Sequence, residues 1–176
     1  GALAYAPMLD ALIEQLVRSY ERTQQSPFLY AASICVTEYG RDPSYARKLF
    51  DMISALASTS FTFLRNLDDL TGHPDVVEEF FYLMGRMVSH CPDLLVTSPL
   101  LQPLFQCAIV GMQLDHRDAN KGTLNFLEHT ISYGLSLKEQ NKPECQQALE
   151  RVLVSEGQAV VQNLTLALLG DLPAYS

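Results

Sequence analysis

His73-Pro-Asp-Val-Val-Glu-Glu-Phe-Phe-Tyr-Leu-Met-Gly-Arg-Met-Val-Ser-His90 is the stretch whose pattern decides the fold. Val76, Val77, Phe80, Phe81, Leu83, Met84, Met87 and Val88 recur at three- and four-residue intervals and make one broad apolar side. Asp75, Glu78, Glu79, Tyr82, Arg86 and Ser89 keep the same spacing on the opposite side. Pro74 suits a first helical turn, and Pro92 cannot continue a helix. This is an amphipathic helix with one face to bury and one to expose.

The same period runs outward in both directions. Met8, Leu9, Leu12, Ile13, Leu16, Val17 and Tyr20 form the apolar side of a first helix. The polar run 23–27 ends it, with Ser26 as N-cap and Pro27 in the first turn of a second helix. That helix reaches Tyr39, with Gly40 as its C-cap. Asp42-Pro43 opens a third helix that extends to about Leu67 and is bent at Ser58-Thr59-Ser60. Thr71-Gly72-His73-Pro74 forms the next break. Further helices are expected over 100–114, 118–135 and 143–169, with breaks at 115–117 and 136–142. No segment alternates with a period of two between hairpin turns, so no sheet is expected.

Seven helices with short polar breaks make pairs that recur at roughly 40 to 50 residues, the period of HEAT and armadillo repeats. The predicted fold is all-α, an α-solenoid of antiparallel HEAT-type helix pairs, since short connections favour antiparallel neighbours. The whole chain, 1–176, reads as one HEAT-repeat segment with pairs at 5–40, 43–91 and 98–135 and a half pair at 143–170. A closed helical bundle is the competing architecture. The unpaired last helix implies a fragment of a longer array, with apolar surface bared at its ends.

Composition narrows the function classes. The net charge is −8 and 48% of residues are hydrophobic. An acidic surface repels nucleic-acid backbones and favours basic partners. No run of about 18 uncharged apolar residues points to a membrane span, and no secretory leader is recognisable. Cys35, Cys91, Cys107 and Cys145 are scattered along helical patterns, which suits free thiols in a reducing compartment. Asn163-Leu164-Thr165 matches the glycosylation sequon, a match with meaning only on a secretory route.

Catalytic and metal patterns are weak. His116-Arg117-Asp118 has the order of a kinase catalytic loop, but Thr123 stands where the loop's Asn belongs. Glycine-rich and Asp-Phe-Gly elements are missing as well. His73, His90, His116 and His129 never pair at i, i+4, and no Cys-x-x-Cys occurs. No enzyme activity and no cofactor are expected.

Three strings carry a family resemblance. Phe28-Leu29-Tyr30 with Glu38-Tyr39-Gly40, His73 to Phe81 (HPDVVEEFF) and Leu114 to Asn120 (LDHRDAN) occur in the order found in transportin-SR-type receptors of the importin-β superfamily. Importin-thirteen-like receptors share His-Pro-Asp-Val-Val but lack the last string. The resemblance covers the middle of the chain and the ends match only in helical pattern. It implies a C-terminal arch segment that binds cargo, namely arginine-serine-rich splicing factors, phosphorylated or not. It also implies shuttling between cytoplasm and nucleus. Ran-GTP would act through N-terminal repeats absent here, and the family's arginine-rich helix would precede Gly1. A generic HEAT scaffold is the alternative, and a helical enzyme with an unread site is the third reading.

In importin-like arrays the second helices of pairs line the concave side. On that implication Glu38, Asp75, Glu78, Glu79 and Asp118 are the candidate cargo-binding residues. Carboxylates there could grip cargo arginines through charge-assisted hydrogen bonds. The plainer alternatives are complementing the helix dipole for Asp75, Glu78 and Glu79, and N-capping for Asp118. Asp118, Lys121, Gly122, Asn125, His129 and Ser132 form a second polar stripe.

Thiol titration of freshly purified protein in denaturant, without reductant, is expected to count four free thiols. A lower count would reveal a disulfide.

Overall fold

The computed structural model describes residues 6–169, with side chains from 8 to 166. The expected outer bounds at 5 and 170 lie outside the described residues. Among these the chain is all-α: α1 (Ala6–Thr23), α2 (Ser26–Tyr39), α3 (Pro43–Phe63), α4 (Leu67–Gly72), α5 (Pro74–His90), α6 (Pro92–Val96), α7 (Leu101–Gly111), α8 (Arg117–Gln140) and α9 (Pro143–Leu169). The helices stack as an α-solenoid in two layers. α2, α5 and α8 pack side by side in one layer, while α1 lies on α3 and α7 on α9 in the other.

Among the described residues nine helices replace the seven expected. α3 ends at Phe63 because Leu64 leaves helical geometry, and the segment beyond restarts as α4. Asn66 caps α4 by accepting from the Asp69 N–H at 3.0 Å. Thr71 and Gly72 therefore belong to a helix, and the break contracts to His73. Pro92 restarts the chain as α6. The serine-threonine cluster expected to bend α3 lies within the continuous helix, with its hydroxyls turned back onto helix carbonyls. Ser58 donates to the Ser54 carbonyl and Ser60 to the Leu56 carbonyl. Ser60 also accepts from the buried Tyr20 hydroxyl at 2.7 Å, tying α1 to α3.

The helix ends differ in part from expectation. Gln25 precedes α2, and Ser26 is already helical, its hydroxyl donating to Asp75 instead. Gly40 is the C-cap of α2 as expected, its N–H donating to the Val36 carbonyl, but in right-handed geometry at φ −65°. Its lack of a side chain serves packing: a Cβ there would lie 2.9 Å from the His90 Cβ. α8 runs past Leu135 to Gln140 and ends at Asn141, whose φ is 52°. Asp42 does cap α3, accepting from the Ser44 N–H at 2.9 Å.

Packing within the α2, α5, α8 layer sets the register. Ser26 meets Asp75 at one end of α2 and α5, and Gly40 meets His90 at the other. α8 meets α5 through Gly122 against Glu78, Gly85 against Asn125, and Ser89 against His129. The three helices thus run parallel, each one repeat along from the last. An aromatic chain crosses the core beneath them. Phe61 packs on Phe80 at 5.9 Å, Phe80 on Phe81 at 5.3 Å, Phe81 on Phe126 at 5.7 Å and Phe126 on Phe105 at 5.9 Å between ring centroids. Phe80, Phe81, Phe105 and Phe126 are fully buried. Large apolar side chains are exposed on the outermost helices, including Tyr30 and Ile34 on α2 and Leu135, Val154 and Val161 on α8 and α9.

A Cβ at residue 122 would lie 2.8 Å from the Glu78 carbonyl oxygen, a backbone atom that cannot rotate away. Gly122→Ala is expected to destabilise the fold by about 1–3 kcal/mol, the usual cost of overpacking. Gly157 has nothing within 4 Å of a built Cβ. Gly157→Ala should stabilise by about 0.5–1 kcal/mol through helix propensity. Urea unfolding of both variants checks the pair of signs.

Candidate partner-binding surface

Because α2, α5 and α8 run parallel, the polar side of each opens onto the same surface. The amino-terminal ends of α5 and α8 bring four of the five candidate acids together. Asp75 accepts a 2.7 Å hydrogen bond from the Ser26 hydroxyl, which holds its carboxylate across the α2–α5 seam. Glu78 and Glu79 are half-buried one turn further along α5. Asp118 is exposed in the first turn of α8.

Their electrostatics show that they are crowded. Burial pushes the Glu78 carboxyl above the usual carboxylate range, and the charges of Asp118 and Asp75 push it the same way. His116 and Lys121 offset part of this. Burial raises Glu79 too, followed by its neighbour Glu78, with Arg86 opposing. The Tyr82 hydroxyl is raised by burial and by Glu78, Asp118 and Glu79 in that order. Glu78 and Glu79 lie beyond the first turn of α5, where the helix-end field has largely decayed. The dipole therefore accounts for Asp75 and leaves Glu78 and Glu79 without that compensation.

Glu38 stands apart. It is exposed near the carboxy-terminal end of α2. With Gly40 in register with His90, it lies roughly 15 Å along the layer from Glu78, at 1.5 Å per helical residue. Two further expectations change. Asp118 does not cap α8, because the helix begins a residue earlier and His116 Nδ1 accepts from the Ala119 N–H at 3.3 Å. Gly122 leaves the polar stripe and is buried against the α5 backbone.

Beyond the acids the surface changes sign. Tyr82, Arg86, Ser89 and His90 of α5 and Asn125 and His129 of α8 line a cleft of about 350 Å³. In sequence these residues fall into two separate stripes. The 40-residue offset that pairs Ser89 with His129 is the repeat period, and that period was the signal available to join them.

Among the described residues the catalytic patterns weighed above do not assemble. The imidazole of the kinase-like string serves as a helix cap. Burial pushes the Cys91 thiol up to about 11 and the Cys107 thiol up to about 12, far from nucleophilic thiolates. Among the described residues no group of three or more His, Cys, Asp or Glu side chains could hold a metal ion. No described helix is long and apolar enough to cross a membrane.

A stacked helical array with a charged lateral surface is a class of protein that binds extended partners. Comparison with known proteins adds the family direction. Residues 2–64 match the Transportin-3/Importin-13 fourth TPR domain. The chain is 27% identical over 166 residues, 94% of its length, to Transportin MOS14 of Arabidopsis thaliana, of which it spans 17%. It is 28% identical over 130 residues to mouse Importin-13 and 24% identical over 128 residues to human Importin-13. Each of those matches covers 72% of this chain and 13% of the relative. The relatives are transport receptors of the importin and transportin type, which supports a transport-receptor segment and gives no support to an enzyme.

The raised carboxyls of Glu78 and Glu79 carry a pH signature. Protonation favours the fold, so their contribution is complete below the unfolded carboxyl value. It is lost as pH rises through their higher folded values. The Glu78→Gln, Glu79→Gln double variant is therefore expected to melt at a higher temperature than the parent at pH 7. The difference should vanish near pH 4. Thermal melts followed by circular dichroism at both pH values check the sign.

Proposed function

We propose that this chain is a cargo-binding segment of a nuclear import receptor, part of a longer HEAT-type array that resembles transportin-SR. Its cargo is a protein segment rich in arginine and serine, as in splicing factors, whether or not phosphorylated. The whole receptor shuttles between cytoplasm and nucleus, and Ran-GTP acts on it through repeats that precede this segment. Relatives named as a transportin and as importins support the transport role. The helix pairs supply an extended surface and no catalytic group.

The observation that carries the cargo assignment is the placement of Glu78 and Glu79. Both are half-buried and held above their ordinary pKa by burial, Glu78 also by the charges of Asp118 and Asp75 and Glu79 by that of Glu78. Such a cluster costs folding stability, and a structure that violates local preference in this way commonly does so for function. Guanidinium groups would relieve the repulsion and could bond the carboxylates through two N–H donors. Asp75 and Asp118 widen the acidic field around them. Glu38, at the far end of α2, would meet a different part of an extended partner.

Each exposed ion pair contributes only about 0.2–1 kcal/mol, so single substitutions should weaken binding a few-fold. Reversing both charges in Glu78→Lys with Glu79→Lys is expected to cut affinity for an arginine-serine peptide tenfold or more, in a chain extended by its upstream repeats. Fluorescence anisotropy at low salt measures the loss, and circular dichroism checks that helix content is retained. Unchanged affinity would remove these acids from the cargo site.

A further inference from the structure

α8 has a side left exposed at the end of its layer. Lys121, Leu124, Glu128, Ile131, Leu135 and Lys138 are exposed and follow one another at alternating steps of three and four residues. That is the a and d spacing of a heptad, the pattern by which two helices pack along a common seam. At 3.6 residues per turn the stripe lies on the far side of α8 from Gly122, Asn125 and His129, which meet α5. Leu135 is 77% exposed and Ile131 40%. Both border a groove of about 170 Å³ whose α9 wall includes Leu149 and Leu153, so the apolar surface continues onto α9. Glu128 and Lys138, at the two ends of this apolar stretch, are in no ion pair or side-chain hydrogen bond among the described residues.

This side differs from the seams between repeats. Those close on glycine: Gly40 of α2 against His90, Gly85 of α5 against Asn125, and Gly122 of α8 against Glu78. The other glycine of α8, Gly134, has Leu149 of α9 in the place a side chain would take. The exposed stripe offers large apolar and charged side chains instead.

The order of the charges sets the direction of a helix that would pair with it. In a parallel pair of α8 helices, a positions layer with a and d with d. Glu128 would then meet Glu128, and Lys138 would meet Lys138. In an antiparallel pair, a layers with d. Centred on residue 133, every Glu128 meets a Lys138 and every Ile131 meets a Leu135. Sliding the pair by one heptad toward the start of α8 puts Lys121 on Lys138 and Glu128 on Ile131. One direction and one register therefore match both charge and apolar character.

We propose that this side of α8 is a self-association surface, and that its partner is the same stripe of a second copy of this chain, running antiparallel. The two-fold axis at residue 133 makes the contact isologous, so it closes at two copies. Ile131 and Leu135 form the two central layers, and Glu128 with Lys138 forms the layer on either side. The net charge of −8 opposes approach of two copies at long range. At about 0.15 M salt that repulsion is screened beyond about 8 Å, while the contacts in the seam are shorter. The inference is independent of the cargo reading, which concerns the other side of α8.

Sedimentation equilibrium of the whole chain at that salt is expected to show a mass that rises with concentration toward two copies. Glu128→Lys and Lys138→Glu each place like charges in two layers, and each should weaken the dimer about tenfold or more. The double variant carrying both reversals restores opposite charges, and its affinity should return to within about threefold of the parent. Leu135→Ser, at a position too exposed to disturb folding, should weaken the dimer by about tenfold as well. Circular dichroism checks that every variant keeps its helix content. Zero-length carbodiimide coupling should join Glu128 to Lys138 in the dimer band alone, because within one copy they stand about 15 Å apart. A chain that stays monomeric up to about 1 mM overturns the proposal. So does a dimer indifferent to the single reversals, a swap that fails to restore it, or growth past two copies, which marks a head-to-tail contact through α1 and α2.

Discussion

The surface depends on how closely α8 can approach α5. At Gly122 the two helices meet backbone to side, and the absence of a Cβ lets α8 settle against the Glu78 carbonyl. Gly85 does the same in reverse one turn short of the far end, where Asn125 occupies the space that a side chain would fill. These two contacts fix both separation and register. The register then brings Asp118 into the field of Glu78 and His129 onto Ser89. A wider or slipped seam would pull the acids apart and open the cleft.

Beneath that seam the aromatic chain makes adjacent repeats depend on each other. Phe80 and Phe81 are consecutive on α5, yet they face different partners: Phe61 of α3 within the same pair, and Phe126 of α8 in the next. Ring contacts of this kind, edge-on for Phe61 with Phe80 and tilted for Phe81 with Phe126, add to the area each side chain buries. In a solenoid, stability comes from within-repeat packing plus nearest-neighbour interfaces. Here one helix serves both terms through two neighbouring rings.

α5 carries its charges in order along its length. On α5 the acids Asp75, Glu78 and Glu79 lie toward the amino-terminal end and Arg86 and His90 toward the carboxy-terminal end, while Asp118 is in the first turn of α8 and His129 near its middle. In part this follows the helix dipoles, which favour such an arrangement at Asp75 and His90. Glu78 and Glu79 are not explained that way, because they sit past the first turn and are desolvated. The acids of α5 are therefore held in closer company than the helix dipole explains.

Periodicity alone determined the helical class and most helix positions, because a stripe repeating at three and four residues can be buried in only one way. It identified the apolar side of α5 residue by residue, and it identified the polar stripe that holds Asp75, Glu78 and Glu79. Short helices escaped it: α4 and α6, with six and five residues, are too brief to show a period. Caps were read correctly at Asp42, where the side chain had a local donor, and wrongly at Ser26 and Asp118. At Ser26 a competing partner came from elsewhere in the chain, and at His116 a ring not counted among capping residues took the position. Only the tertiary structure could decide that Glu38 stands apart from the other acids, that Gly122 is a contact and not part of the stripe, and that Arg86 shares a cleft with His129. Each of those facts depends on the separation and register of two helices one repeat apart. Those quantities are set by the packing of side chains distant in sequence, which no single helical period encodes.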